Sequence, residues 1–184
     1  MPCVNELIKC LDEATAGDCG TTCCHKVKEV LEEIFASGQD FIGPEFLVPA
    51  PGSYARRLLH RDSQGRYSVL VMVWDTGQGT PIHDHAGMWC CECVYRGRIE
   101  VVSYDRADEH SGDVAEFAEQ TRIMAGIGEA GALIPPFDYH TIENIDPTPA
   151  ITVHVYGGDM TWCHAFIAED GHYRRVRKEL TLTA

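Results

Sequence analysis

TPIHDHAGMWC, residues Thr80 to Cys90, sets two histidines at alternate positions in a stretch entered through Pro81. In an extended segment residues i and i+2 face the same side. His83 and His85 can therefore reach one metal ion while Asp84 points away. Two surface histidines would read the same way, so the meaning of the pattern depends on its surroundings.

Outward from this stretch the chain alternates with a period of two. Short extended runs are predicted at Tyr54–His60, Arg66–Trp74, Met88–Tyr95, Arg98–Asp105, Arg122–Met124, Ala132–Ile134, His140–Asn144, Ile151–Tyr156, Trp162–Ala168 and Tyr173–Leu180. The breaks DSQG, DTGQGTP, RG, GEAG and DPTP between them are turn signals. Many short strands in one small domain favour a sandwich or barrel, because closure hides the sheet edges. The stretch Arg106–Gln120, rich in Asp, Glu and Ala, reads as a solvated surface segment or a short helix. Before residue 45 the period is helical. Val27, Val30, Leu31, Ile34 and Phe35 share one face, with Thr21 or Thr22 as a cap and Gly38 as an end, and Met1–Ala14 forms a weaker helix. The expected organisation is a helical segment over residues 1–44 and a barrel over 45–184, forming one structural domain with the helices packed outside.

The 184 residues carry 45% hydrophobic side chains, enough to bury a core in a single domain. Fifteen Lys and Arg against 28 Asp and Glu give a net charge of −13, which repels phosphate backbones and anionic lipid. Nucleic acid and membrane are not expected partners, and no apolar run reaches the length of a membrane span. Nine cysteines cluster at 3–24 and 90–93, with Cys163 apart. The odd count, the adjacent pairs and the absence of a secretory leader speak against a disulfide framework and for a reducing, cytoplasmic setting. A monomer is expected. Cys19, Cys23 and Cys24 lack the paired CxxC spacing of a zinc site.

Gly77, five residues, His83, one residue, His85 and a later Gly97 follow the first signature of the cupin barrels, and Pro135, four residues, His140, three residues, Asn144 follow the second. The chain resembles the cupin superfamily, which implies a mainly β, double-stranded β-helix barrel with His83, His85 and His140 converging inside. Where a typical cupin has a glutamate ligand, after four residues that follow the second histidine, this chain has Cys90. That departure, with YARRLL, HTIEN, TVHVY and CHAF, is similar to the thiol dioxygenases, and within them to the cysteine dioxygenase family.

The resemblance implies a ferrous ion held by His83, His85 and His140, Arg56 as the clamp for a substrate carboxylate, and Tyr156 standing over the metal. It further implies a thioether between Cys90 and Tyr156. Tyr54 shares the face of Arg56, while Arg57 turns to the other side as a surface residue. Thr152, His154 and Tyr156 alternate along one face, a relay that would orient the phenol. Three neutral imidazoles leave an ion three open positions, for thiolate, amine and dioxygen. The implied reaction is oxidation of L-cysteine by O2 to cysteine sulfinic acid. Relatives acting on 3-mercaptopropionate carry glutamine in place of Arg56, so arginine favours cysteine without excluding other small thiol carboxylates. A non-enzymatic metal-holding cupin is the remaining alternative. Gly157 and Gly158 replace the Ser-Pro-Pro of the mammalian-type enzymes.

Overall fold

The computed structural model describes residues 3–17, 20–107 and 112–184. Two α-helices come first, α1 (Val4–Ala14) and α2 (Thr21–Phe35). The strands that follow are β1 (Ala55–Arg61), β2 (Ser68–Trp74), β3 (Ile82–His83), β4 (Cys90–Arg96), β5 (Ile99–Arg106) and β6 (Val114–Ala115). The series ends with β7 (Phe117–Ala125), β8 (Ala130–Leu133), β9 (His140–Glu143), β10 (Ala150–Tyr156), β11 (Trp162–Glu169) and β12 (His172–Glu179). They form a five-stranded sheet in the order β1-β2-β10-β4-β8 and a seven-stranded sheet in the order β6-β12-β11-β3-β9-β5-β7. The expected double-stranded β-helix, with helices outside, is the observed architecture.

The five-stranded sheet is covered on both faces. Val69, Val71 and Val73 of β2, Cys91, Cys93 and Tyr95 of β4, and Ile151, Val153 and Val155 of β10 face outward. They pack against Leu7, Leu11, Cys24, Val27, Leu31 and Phe35 of the helices. The residues between them face inward: Leu70, Met72, Trp74, Cys90, Val94 and Tyr156 meet Ile99, Ala125 and Ile142 of the opposite sheet. Period two fixes this division, and a shift of one residue would exchange the two sets. Covering both faces also explains why β2, SVLVMVW, is apolar throughout. Arg66 ties α1 to the β1–β2 turn, bonding Asp62 in the turn at 2.8 Å and Asp12 of α1 at 2.6 Å.

Four local expectations need correction. Gly20, with φ of 48°, is the N-cap of α2, and no side chain caps that helix, so neither Thr21 nor Thr22 has that role. Both threonines already lie inside the first turn. Among its described residues the segment Arg106–Gln120 is not helical: Val114–Ala115 forms β6 and residues 117–120 open β7, with Phe117 in an aromatic cluster with Tyr139, Phe166 and Tyr173. It is mostly exposed, as a solvated surface segment would be, and residues 108–111 of it lie outside the described residues. Arg57 is half-buried, its guanidinium donating to the carbonyls of Phe46 and Val48. Cys23 is disulfide-bonded, unlike the free Cys3, Cys10, Cys24, Cys90, Cys91, Cys93 and Cys163. Cys19 lies outside the described residues, as do Met1 and Pro2 of the first predicted helix. None of the described helices is long and apolar enough to cross a membrane.

Candidate metal centre and substrate pocket

β3 is only two residues long, and it delivers the first imidazole: His83 pairs across the ladder with His140 of β9. His85 follows in the turn after β3. The ring centroids of His83 and His140 are 4.5 Å apart, those of His83 and His85 5.2 Å, and those of His85 and His140 5.1 Å. One nitrogen from each lies within 4.8 Å of the others. The opposite nitrogens are occupied. His83 Nδ1 lies 3.1 Å from the Pro81 carbonyl, His85 Nδ1 3.0 Å from Asp138 Oδ2, and His140 Nδ1 3.3 Å from the Asp138 carbonyl. Three acceptors at Nδ1 place the protons there and leave three Nε2 lone pairs for a metal ion.

Electrostatics agree with that assignment. Desolvation, helped by the neighbouring His85, lowers the His83 pKa to about 4 and takes His140 well below the ordinary histidine value. His83 and His140 are therefore neutral near pH 7, the form that binds metal. Asp84 turns away, as its parity requires, and accepts from the His164 amide at 2.9 Å and faces His164 Nδ1 at 2.8 Å.

An orphaned atom supplies the test of whether the residues fit a cation. Glu92 of β4 is buried, and its Oε2 has no hydrogen-bond donor. That oxygen lies 3.7 Å from His140 Nε2 and 3.5 Å from His154 Nδ1, and desolvation raises its carboxyl pKa to about 8. An ionised carboxylate oxygen facing an imidazole lone pair is unfavourable with nothing positive beside them; a proton on Glu92 resolves the conflict when no cation is bound, and a divalent cation resolves it when one is. The donor set fits a metal ion.

The pocket beside the imidazoles is lined by Tyr54, Arg56, Trp74, His154, Tyr156 and Lys178, among others. Arg56 is 5% exposed, and its Nη2 donates to the Met160 carbonyl at 2.5 Å. The C-terminal segment holds the backbone in register: the Arg56 amide donates to Thr183 Oγ1 at 2.9 Å, and the Thr183 amide donates to the Arg56 carbonyl at 2.8 Å. Tyr54 stacks on Trp74 with centroids 4.4 Å apart.

A hydrogen-bonded row runs along the inner face of β10. Trp74 Nε1 donates to Thr152 Oγ1 at 2.8 Å, Thr152 Oγ1 lies 2.7 Å from His154 Nε2, and His154 Nδ1 lies 3.5 Å from the Tyr156 hydroxyl. Burial drives the His154 pKa down to about 3 and raises that of the Tyr156 phenol, so both are neutral. Tyr156 sits directly opposite Cys90 in the β10–β4 ladder, and the two side chains are in hydrogen-bond contact. Gly157 follows because a Cβ there would run into the Trp89 indole, and Gly158 takes a φ of 150°. Space and backbone geometry both call for glycine at this corner.

The structure therefore brings together His83, His85, His140, Arg56, Tyr54, His154, Tyr156 and Cys90, while Cys91 faces the helices. Sequence reasoning missed Asp138, Trp74 and Glu92. Asp138 stands two residues before His140, and Glu92 is a lone acid in the apolar run CCECVY at the parity of Cys90; both were visible signals. Trp74 closes a hydrophobic run and carried none.

A cupin barrel with three imidazoles converging inside defines the class: a metal-binding cupin. The chain matches the family model of cysteine dioxygenase type I over residues 46–169 and belongs to that family. The cysteine dioxygenase type 1 of Rattus norvegicus is 27% identical over 124 residues, covering 67% of this chain and 60% of that protein. In that match the chain spans about three fifths of the relative's length. The cysteine dioxygenase type 1 of Danio rerio is 22% identical over 175 residues, covering 95% of this chain and 84% of that protein. A solved Klebsiella pneumoniae protein with a double-stranded β-helix domain is similar at 21% identity and a TM-score of 0.47, covering 66% of this chain and 92% of that one.

Proposed function

We propose that this protein is a non-haem iron thiol dioxygenase that oxidises L-cysteine with O2 to cysteine sulfinic acid. The observation that carries the reading is the cluster of His83, His85 and His140 beside a pocket lined by a buried arginine and a tyrosine backed by a histidine. His83, His85 and His140 would hold the ion. Bound ferrous iron would supply open positions for the thiolate and dioxygen and a path for electrons from sulfur to dioxygen. The balance closes without a further reductant: R–SH + O2 gives R–SO2H.

The other residues bind and orient. Arg56, with Lys178 also lining the pocket, offers positive charge to a carboxylate, and a guanidinium can meet it through two parallel hydrogen bonds. Trp74, Thr152 and His154 hold the Tyr156 phenol, kept neutral by burial, as a proton donor to the substrate side. Tyr54 closes the wall through its stacking on Trp74. Met72, Ile142 and Leu180 line the same pocket and limit water there. A thioether from Cys90 to the ring of Tyr156 would fix the phenol further, and their pairing across the β10–β4 ladder supports it.

No carboxylate lines this pocket among the described residues, so the substrate amine has no acidic side chain there and would rely on the metal. For that reason the decisive experiment compares substrates. The iron-loaded protein should consume oxygen and form cysteine sulfinate from L-cysteine faster than it oxidises 3-mercaptopropionate. The reverse order would transfer the reading to 3-mercaptopropionate, and no uptake with either thiol would remove it. Arg56→Gln should raise KM for L-cysteine about 10–100-fold, the loss of a charged hydrogen-bonded pair worth roughly 1.5–3 kcal/mol.

A further inference from the structure

Glu92 has no part in the reaction as described, yet a carboxylate seldom stays buried without a partner. Its placement follows from strand parity. Cys90, Glu92 and Val94 alternate along the inner face of β4, and Glu92 is the ladder partner of His154 on β10 and of Gly131 on β8. Packing does not wedge the side chain against the imidazoles, since Glu92 also lines a separate cavity of about 520 Å³ that Thr152 and Ile142 share. It nevertheless presents Oε2 to His140 Nε2 at 3.7 Å and to His154 Nδ1 at 3.5 Å.

The two imidazoles differ in what they can offer. His140 Nδ1 is taken by the Asp138 carbonyl, so His140 Nε2 carries a lone pair and cannot donate to Glu92. His154 Nε2 meets Thr152 Oγ1, which leaves His154 Nδ1 as a possible donor. One half of the Glu92 environment can be met by a proton on His154. The half facing His140 can be met by a cation when Glu92 is ionised, or by the proton of Glu92 itself when no cation is bound.

We propose that Glu92 belongs to the metal centre, its carboxylate held beside His140 for the cation that the three imidazoles bind. This rests on the metal-site reading of His83, His85 and His140. Position 90 carries a thiol, and the carboxylate returns one pleat repeat further along the same face of β4. The centre then combines three neutral ligands with one negative charge, and Glu92 is a positioning residue for the metal and for His154.

Metal-stripped wild type and Glu92→Gln are titrated anaerobically with Fe(II), and the thermal unfolding of both stripped proteins is recorded. Removing an outer partner of a metal ligand typically weakens binding 10–100-fold, so Glu92→Gln should bind Fe(II) about 10–100-fold more weakly while its stripped form unfolds at the same or a higher temperature. Glu92→Leu, which also removes the charge, should reproduce the loss. Equal Fe(II) affinity in wild type and both variants overturns the proposal. A stripped Glu92→Gln that melts below stripped wild type marks a structural carboxylate and overturns it as well. Wild type that takes up no Fe(II) removes the metal-site reading itself, which separates the two failures.

Discussion

The two faces of the five-stranded sheet are built from the same strands and do opposite work. On the outer face, Val71, Cys91, Tyr95 and Val153 pack against helical Leu7, Val27, Leu31 and Phe35, and the contact is almost wholly apolar. On the inner face the same strands carry Arg56, Trp74, Cys90, Glu92, Thr152, His154 and Tyr156, and nearly every polar group finds a hydrogen-bond partner. Helix packing therefore holds the sheet, and the sheet holds the chemistry. Polar side chains can occupy the inner face because burial on the other side supplies stability they do not.

Changes on the inner face should break function and leave the fold, and changes on the outer face should do the reverse. The largest expected effect is on the inner side. His140→Ala should reduce iron content to background and abolish oxygen uptake, with the far-UV circular dichroism unchanged; metal analysis after loading decides it. His83→Ala and His85→Ala should behave alike.

On the outer side, Leu31 is fully buried on α2. Leu31→Ala should destabilise the protein by about 2–5 kcal/mol through lost burial and a cavity, read from urea unfolding. Iron content of the folded fraction should stay at the wild-type level, and a parallel loss of iron would show that the two faces are coupled.

A smaller effect is expected where α1 is fastened. The Arg66 guanidinium holds the Asp62 carboxyl well below the usual carboxylate range. A carboxyl lowered by folding stabilises above its unfolded pKa of about 4 and loses that contribution as pH falls towards its folded value. Asp62→Asn should therefore be less stable than wild type at pH 7, with the gap in urea midpoint narrowing at about pH 3. A gap of constant size would exclude this ionic origin.

The smallest change separates neighbouring thiols. If the thioether to Tyr156 forms, the mass after full disulfide reduction lies two hydrogens below the sequence mass. Cys90→Ser restores those hydrogens and Cys91→Ser does not, because Cys91 faces the helices. A deficit that survives Cys90→Ser assigns the missing hydrogens elsewhere.

Alternation made much of this legible before any coordinates. A period of two placed His83 with His85, Tyr54 with Arg56, and Thr152 with His154 and Tyr156, because side-chain parity in a strand is a local property. Turn residues marked most of the strands for the same reason. The exceptions were short or heavily polar: two-residue β3 and β6 offer no period to read, and the exposed polar run of β7 resembles a loop. Asp138 and Glu92 were visible as acids in unexpected places, but their partners lie on other strands.

By itself, then, the sequence determined which side chains share a face, where the chain turns, and that three histidines stand in the spacing of a metal-binding barrel. Only the tertiary structure decided that Asp138 orients two imidazoles, that the C-terminal segment fixes Arg56, and that Glu92 meets His140 and His154. Parity is set by the geometry of neighbouring peptides. Those three contacts join residues 48 to 127 positions apart, which local preference does not encode.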